Sequence, residues 1–242
     1  MRGVAGRAAV IAVMGVCMLL AADPAAAERR LALVVGNSAY AVQPLDNPAN
    51  DAALMAETLT QVGFEVTHVE DLGERDFLRT VISFGRDLRA AGEDAVGLFY
   101  YAGHAIQADG ENYLIPVDAE LQDALDLQIQ AVEAADVMRA LEAAGNRLNM
   151  VILDACRNNP FASSYRSIAQ GLSTLNAPSG TFISYATAPG AVASDGTGNN
   201  GLFTGELVKQ MKIPGLKLEE VFKRVRIRVQ EQSRGKQVPW DA

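Results

Sequence analysis

Val151-Ile152-Leu153-Asp154-Ala155-Cys156-Arg157-Asn158-Asn159-Pro160 is a short apolar run that turns acidic and then delivers a thiol. It has the length of a buried strand, and Cys156 falls at its carboxyl end. Fifty-two positions upstream a second such run, Gly97-Leu98-Phe99-Tyr100-Tyr101-Ala102-Gly103-His104-Ala105, ends on His104. If the two strands are neighbours in a parallel sheet, thiol and imidazole meet in space. That pairing is what a cysteine hydrolase requires: a nucleophile with a base in reach.

The flanking sequence alternates between strand and helix patterns. Leu31–Gly36, Phe64–Val69, Ala95–Ala102, Asn149–Asp154 and Thr181–Ala186 read as strands, with Asn112–Val117 as an arm of a hairpin. Between and after them, Asn47–Val62, Arg75–Ala90, Val132–Ala144, Leu202–Met211 and Leu216–Gln232 carry apolar residues at helical spacing. Alternation of this kind predicts an α/β domain whose parallel sheet is covered on both faces. Ligands then bind beyond the carboxyl ends of the strands, where His104 and Cys156 fall. Two long loops on that edge, Arg157–Gly180 and Pro189–Gly201, are rich in Ser, Asn, Gly and Pro. Loops of such length in a compact domain commonly carry function.

Residues 1–27 read as a secretory signal: Arg2 and Arg7 open it, Ala8–Ala22 is apolar, and Ala25-Ala26-Ala27 offers a small-residue cleavage site. The apolar stretch is shorter than the roughly 18 residues of a membrane span. The expectation is an exported protein, periplasmic or secreted, with no stable membrane insertion after the signal is removed. Residues 28–242 then form one catalytic domain. Loss of the leader removes two arginines and one aspartate, so the −8 of the whole chain becomes −9. A chain this acidic is a poor partner for nucleic acid or anionic lipid. Its basic run, Lys217–Arg228, has the spacing of a solvated helix face.

Beyond the leader Cys156 is the single cysteine, so an internal disulfide is ruled out and the thiol is either buried filler, an intermolecular partner or a reactive group. The chain has two histidines, His68 and His104, too few with one thiol for a typical zinc site. His68 lies in an alternating strand and reads as structural. Gly36-Asn37-Ser38 resembles a phosphate turn, but no nucleotide-binding glycine motif accompanies it.

The order of strand–His, about fifty residues, then strand–Cys resembles that of the caspase-like proteases. Tyr-Tyr-Ala-Gly-His-Ala at 100–105, Asn-Tyr-Leu-Ile-Pro-Val-Asp-Ala at 112–119 and Asp-Ala-Cys-Arg-Asn-Asn-Pro-Phe at 154–161 are similar to the bacterial caspase-like and metacaspase branch. The resemblance covers roughly Arg30–Asp241 and implies a three-layer α/β/α fold around a mostly parallel sheet of about six strands. It implies that Cys156 is the nucleophile and His104 the general base, and that the backbone N–H groups of Cys156 and Ala105 hold the oxyanion. Most relatives carry glycine at the latter place, so alanine is costly if a positive φ is needed there.

Caspases receive an acidic residue with arginines and a glutamine. Here Asp154 stands for that glutamine, Asp51 falls where the metacaspase branch has a second acidic pocket residue, and no Lys or Arg occurs between Arg30 and Arg75. Two carboxylates favour a guanidinium or ammonium, and the expected substrate is a protein or peptide cut after Arg or Lys. Asp154 also suits a turn cap and Asp51 a helix start. Relatives are often processed after the catalytic cysteine, and Arg166 offers a basic cut site. No cofactor is expected, and although many metacaspases respond to calcium, no ligand pattern for it is present. The alternative is a catalytically weak scaffold or binding module, which would not need both His104 and Cys156. Peptide ligation through the same thioester would use the same residues.

Overall fold

The computed structural model describes residues 28–156, 172–175, 177–188 and 198–242. Five parallel strands form the centre: β1 (Arg30–Gly36), β2 (Glu65–Glu70), β3 (Val96–Ala108), β6 (Leu148–Cys156) and β7 (Thr181–Tyr185). They lie in the order β2-β1-β3-β6-β7, and a short β8 (Trp240–Asp241) pairs antiparallel with β7. Two small strands, β4 (Glu111–Leu114) and β5 (Val132–Glu133), are added through β3. The helices are α1 (Pro48–Gln61), α2 (Glu74–Ala91), α3 (Ala124–Gln130), α4 (Ala134–Ala144), α5 (Leu202–Met211) and α6 (Leu218–Gln232).

Strand alternation divides the core into two layers. Along β1, Leu31, Leu33 and Val35 join Phe77, Phe84 and Leu88 of α2 and Val137 and Leu141 of α4. Ala32 and Val34 face the other way, toward Met55 and Leu59 of α1, Leu207 of α5 and Val225 of α6. A strand buried on both sides has no polar positions to alternate, which is why its sequence is a continuous apolar run. Helix α2 shows the complementary rule: its buried Phe77, Val81, Phe84 and Leu88 recur every three or four residues and so share one stripe.

Besides small shifts at element ends, three differences from the sequence expectation shape the region around the site. β3 does not end beside His104 but runs on to Ala108, because Asp109-Gly110 turns the chain back and gives residues 105–108 an antiparallel partner in β4. Both turn residues have positive φ (51° and 88°), as a type I′ hairpin requires. Residues 132–133 are not the start of a helix but the strand β5, paired with Tyr113 and Leu114, so α4 begins at Ala134. The unanticipated α3 is nucleated by Asp123, whose carboxylate accepts the N–H of Leu125 and Asp126, while Asp126 reaches back to the Asp123 N–H.

Candidate active site

β3 and β6 run parallel in a register that pairs Ala102 with Asp154, Gly103 with Ala155 and His104 with Cys156. Neighbouring strands lie about 4.8 Å apart, so register alone sets the backbone of His104 beside that of Cys156. The fifty-one intervening residues are spent on the hairpin, α3, α4 and the return into β6.

His104 is 2% exposed and is held from several sides. Its Nε2 lies 2.8 Å from the Gln43 carbonyl oxygen. A carbonyl only accepts, so the ring hydrogen is on Nε2 and, in the neutral imidazole, Nδ1 carries the lone pair. Gln43 presents that carbonyl from a left-handed backbone, φ 53°. The His104 main chain is gripped as well. Its N–H donates to the Tyr40 hydroxyl (2.9 Å), and its carbonyl accepts from the Tyr101 hydroxyl (2.7 Å) and the Ile115 N–H (3.0 Å). Tyr40 in turn donates to the Ile115 carbonyl at 3.1 Å, and its ring lies 4.5 Å from the imidazole, tilted by 54°.

This clamp requires Gly103. A Cβ at that position would sit 2.6 Å from both tyrosine hydroxyls. The steric demand for glycine therefore falls one residue before His104 rather than one after it. Among the described residues the non-glycine positive φ angles belong to Gln43, Asp71, Asp109 and Arg234, so Ala105 has ordinary strand backbone and alanine incurs no strain there. The Ile115-to-His104 bond makes Ala105 and Leu114 a non-hydrogen-bonded pair. The Ala105 N–H consequently points to the opposite edge of β3, along which β6 ends.

Asp51 and Asp154, far apart in sequence, converge on the start of α5. A Cβ built on Gly201 would lie 2.9 Å from Asp51 Oδ2 and 3.6 Å from Asp154 Oδ2. Asp51 is in the first turn of α1, which packs so closely on the end of β1 that a Cβ on Gly36 would be 2.6 Å from the Pro48 carbonyl. Its carboxylate is 4% exposed and accepts from the Gly201 N–H (3.0 and 3.1 Å) and the Asn200 amide (2.9 Å). Asp154 accepts from the Thr204 hydroxyl at 2.6 Å, and Thr204 lies 2.6 Å from the Tyr100 hydroxyl.

Tyr40, Gln43, Gly201 and Thr204 were not singled out by the sequence, and Tyr101 was quoted within a motif without a role. Tyr40 reaches the His104 N–H from 64 residues away, which no local pattern signals. His68 lies on the edge strand β2, 3.1 Å from Glu70, away from this cluster. In the turn after β1, Ser38 and Ala39 give their N–H groups to Asp71, and Asn37 bonds Leu72 and Ile115, so the turn ties loops together. Residues 1–27, Arg166 and most of the two long loops lie outside the described residues. Among the described residues no three His, Cys, Asp or Glu side chains converge as a metal cage would need, and no helix is long and apolar enough to cross a membrane. An apolar cleft of about 360 Å³ opens at the other end of the sheet, beside Val96, Leu148 and Phe222.

Comparison with known proteins gives a consistent result. The sequence model of the caspase domain, a peptidase family, matches residues 29–242. Among curated proteins, human mucosa-associated lymphoid tissue lymphoma translocation protein 1 is 28% identical over 195 residues, which are 78% of this chain and 22% of that protein. Its mouse homolog is 28% identical over 191 residues, 77% of this chain and 21% of that protein. The chain thus spans about a fifth of the length of these relatives.

Proposed function

Since the chain belongs to the caspase family of cysteine peptidases, we propose that it is an exported endopeptidase that cuts proteins after Arg or Lys with His104 and Cys156. The observation that carries this reading is the β3–β6 register, which sets His104 opposite Cys156 at the carboxyl end of the sheet. Export rests on the leader-like residues 1–27.

The chemistry follows from the bonding of His104. With Nε2–H committed to the Gln43 carbonyl, Nδ1 is the nitrogen that takes the Cys156 thiol proton. The thiolate adds to the scissile carbonyl carbon, and the oxyanion is met by the Cys156 and Ala105 N–H groups. Collapse of the adduct breaks the C–N bond, with the imidazolium protonating the leaving amine. Water, deprotonated by His104, then hydrolyses the thioester and returns the free thiol. The substrate's basic side chain is received by Asp51 and Asp154, whose carboxyl oxygens converge on Gly201. No step needs a cofactor, and none is proposed. Cleavage after Arg166 remains the proposed route of self-processing.

The test is hydrolysis of matched fluorogenic peptides ending in arginine, lysine or aspartate, by the protein and by Cys156→Ala, with and without calcium. Cleavage after the basic residues that vanishes in the variant is expected. Cleavage after aspartate would overturn the pocket assignment. No turnover, together with no reaction of Cys156 with iodoacetamide at neutral pH, would leave a binding module instead.

A further inference from the structure

We infer that Thr204, oriented by Tyr100, is a specificity-determining positioning residue that aims the Asp154 carboxylate at the basic side chain of the substrate. The inference rests on the acidic-pocket reading above and adds to it the element that sets the pocket's geometry.

A carboxylate only accepts hydrogen bonds, and a threonine hydroxyl has one proton to give. That proton therefore goes to Asp154 Oδ2, 2.6 Å away, and the Tyr100 hydroxyl, 2.6 Å from Thr204 Oγ1, must be a donor to it. The direction of the whole chain, Tyr100 to Thr204 to Asp154, is fixed by its last member. Both hydroxyl residues are fully buried, so water does not compete for these bonds. A threonine within a helix ordinarily turns its hydroxyl back to the carbonyl four residues earlier. Thr204, in the first turn of α5, spends it on another element instead.

The same turn of α5 also binds the second carboxylate, since the Gly201 N–H donates to Asp51. One rigid turn thus holds Asp51 of α1 and Asp154 of β6 in a fixed relation. A guanidinium recognised by two carboxylates is sensitive to such placement, whereas the bonds made and broken at Cys156 are not. The consequence is a separation of effects: loss of the Thr204 hydroxyl weakens binding of basic substrates and leaves the reacting groups alone.

Thr204→Val keeps shape and removes the proton. For an arginine peptide it should raise KM about tenfold, the discrimination carried by one hydrogen bond to a charged group, with kcat within about twofold of the parent. Thr204→Ser should restore KM, and Tyr100→Phe should raise it less than Thr204→Val does. The rate of Cys156 alkylation by iodoacetamide, an uncharged reagent that bypasses the pocket, should not change. If Thr204→Val folds poorly, seen as a lowered urea midpoint, the Tyr100→Phe and Thr204→Ser pair decides. An unchanged KM in Thr204→Val, a fall carried by kcat, or failure of serine to rescue would overturn the relay while the parent's basic preference stands. A parent protein with no preference for basic peptides would overturn the pocket and the relay together.

Discussion

Gly103→Ala adds one carbon beside the proposed base and should disable the protein in a measurable way. The new Cβ would lie 2.6 Å from the hydroxyls of Tyr40 and Tyr101 and 2.9 Å from Tyr101 Cζ, where comfortable carbon contacts begin near 3.5 Å. Each hydroxyl must therefore retreat by nearly an ångström. A long exposed side chain would do so cheaply, but Tyr101 is fully buried with its ring stacked 5.6 Å from Phe77, and Tyr40 is 7% exposed. Overpacking of this kind costs about 1–3 kcal/mol. The displaced hydroxyls also surrender the His104 N–H to Tyr40 and Tyr101 to His104 carbonyl bonds, about 1 kcal/mol each.

A loss of about 3–4 kcal/mol in urea denaturation is the expected result, or a fall in Tm of roughly 10 °C for a domain of this size. Arginine-peptide hydrolysis should drop about 100-fold at temperatures where the variant is folded, because the imidazole is displaced along with its backbone. Gly205→Ala is the internal control: a Cβ there meets nothing within 4 Å, inside α5. It should be neutral or stabilise by up to about 1 kcal/mol. A Gly103→Ala protein within 0.5 kcal/mol of the parent (about the level of an ordinary surface change) and with undiminished kcat would refute the clamp.

Other outcomes follow from the same geometry. Tyr40→Phe keeps the ring against His104 but strips the acceptor from its N–H, so kcat for the arginine peptide should fall about tenfold with KM unchanged in steady-state assays. Asp51→Asn replaces one carboxylate of the proposed pocket and weakens the grip on Gly201 and Asn200; selectivity for arginine over an uncharged residue should fall about tenfold or more, measured as the ratio of kcat/KM values. Burial works to raise the Glu206 carboxyl, but bonds from Lys209 and Gln232 outweigh it and hold the group below the usual carboxylate range. A depressed folded value means stability that is present above the unfolded value near pH 4.3 and is lost as pH falls through the folded one. Glu206→Gln should therefore flatten the acid limb of stability against pH below about 4.3, read by urea midpoints.

The central strands were legible because β1, β3 and β6 are buried on both faces and their apolar runs have no competing interpretation. The register of His104 with Cys156 followed from topology, since both lie at the carboxyl edge of neighbouring parallel strands. What escaped was local or distant in a way periodicity does not register. Ala105–Ala108 continue β3 only because Asp109-Gly110 supplies a hairpin, a two-residue signal between runs too short to alternate clearly. β5 is two residues long, and α3 is announced by a capping aspartate rather than by an apolar stripe. The pairing of Asp51 with Asp154 was suggested by motif position, yet the groups that hold them, Gly201 and Thr204, come from a helix whose own sequence carries no sign of the contact.

The two faces of β3 serve the proposed pocket and the proposed base separately. Successive strand residues face opposite sides of a sheet, so the adjacent Tyr100 and Tyr101 belong to different halves of the core. Tyr100 enters the layer of α1, α5 and α6, where its hydroxyl meets Thr204 and through it Asp154. Tyr101 enters the layer of α2 and α4, where its hydroxyl meets the His104 carbonyl. The strand that carries the proposed base thus anchors both proposed sites, one on each face, without a shared side chain. Damage to one hydroxyl is felt on one side of the sheet, which is the physical reason the effects on KM and on kcat are expected to separate.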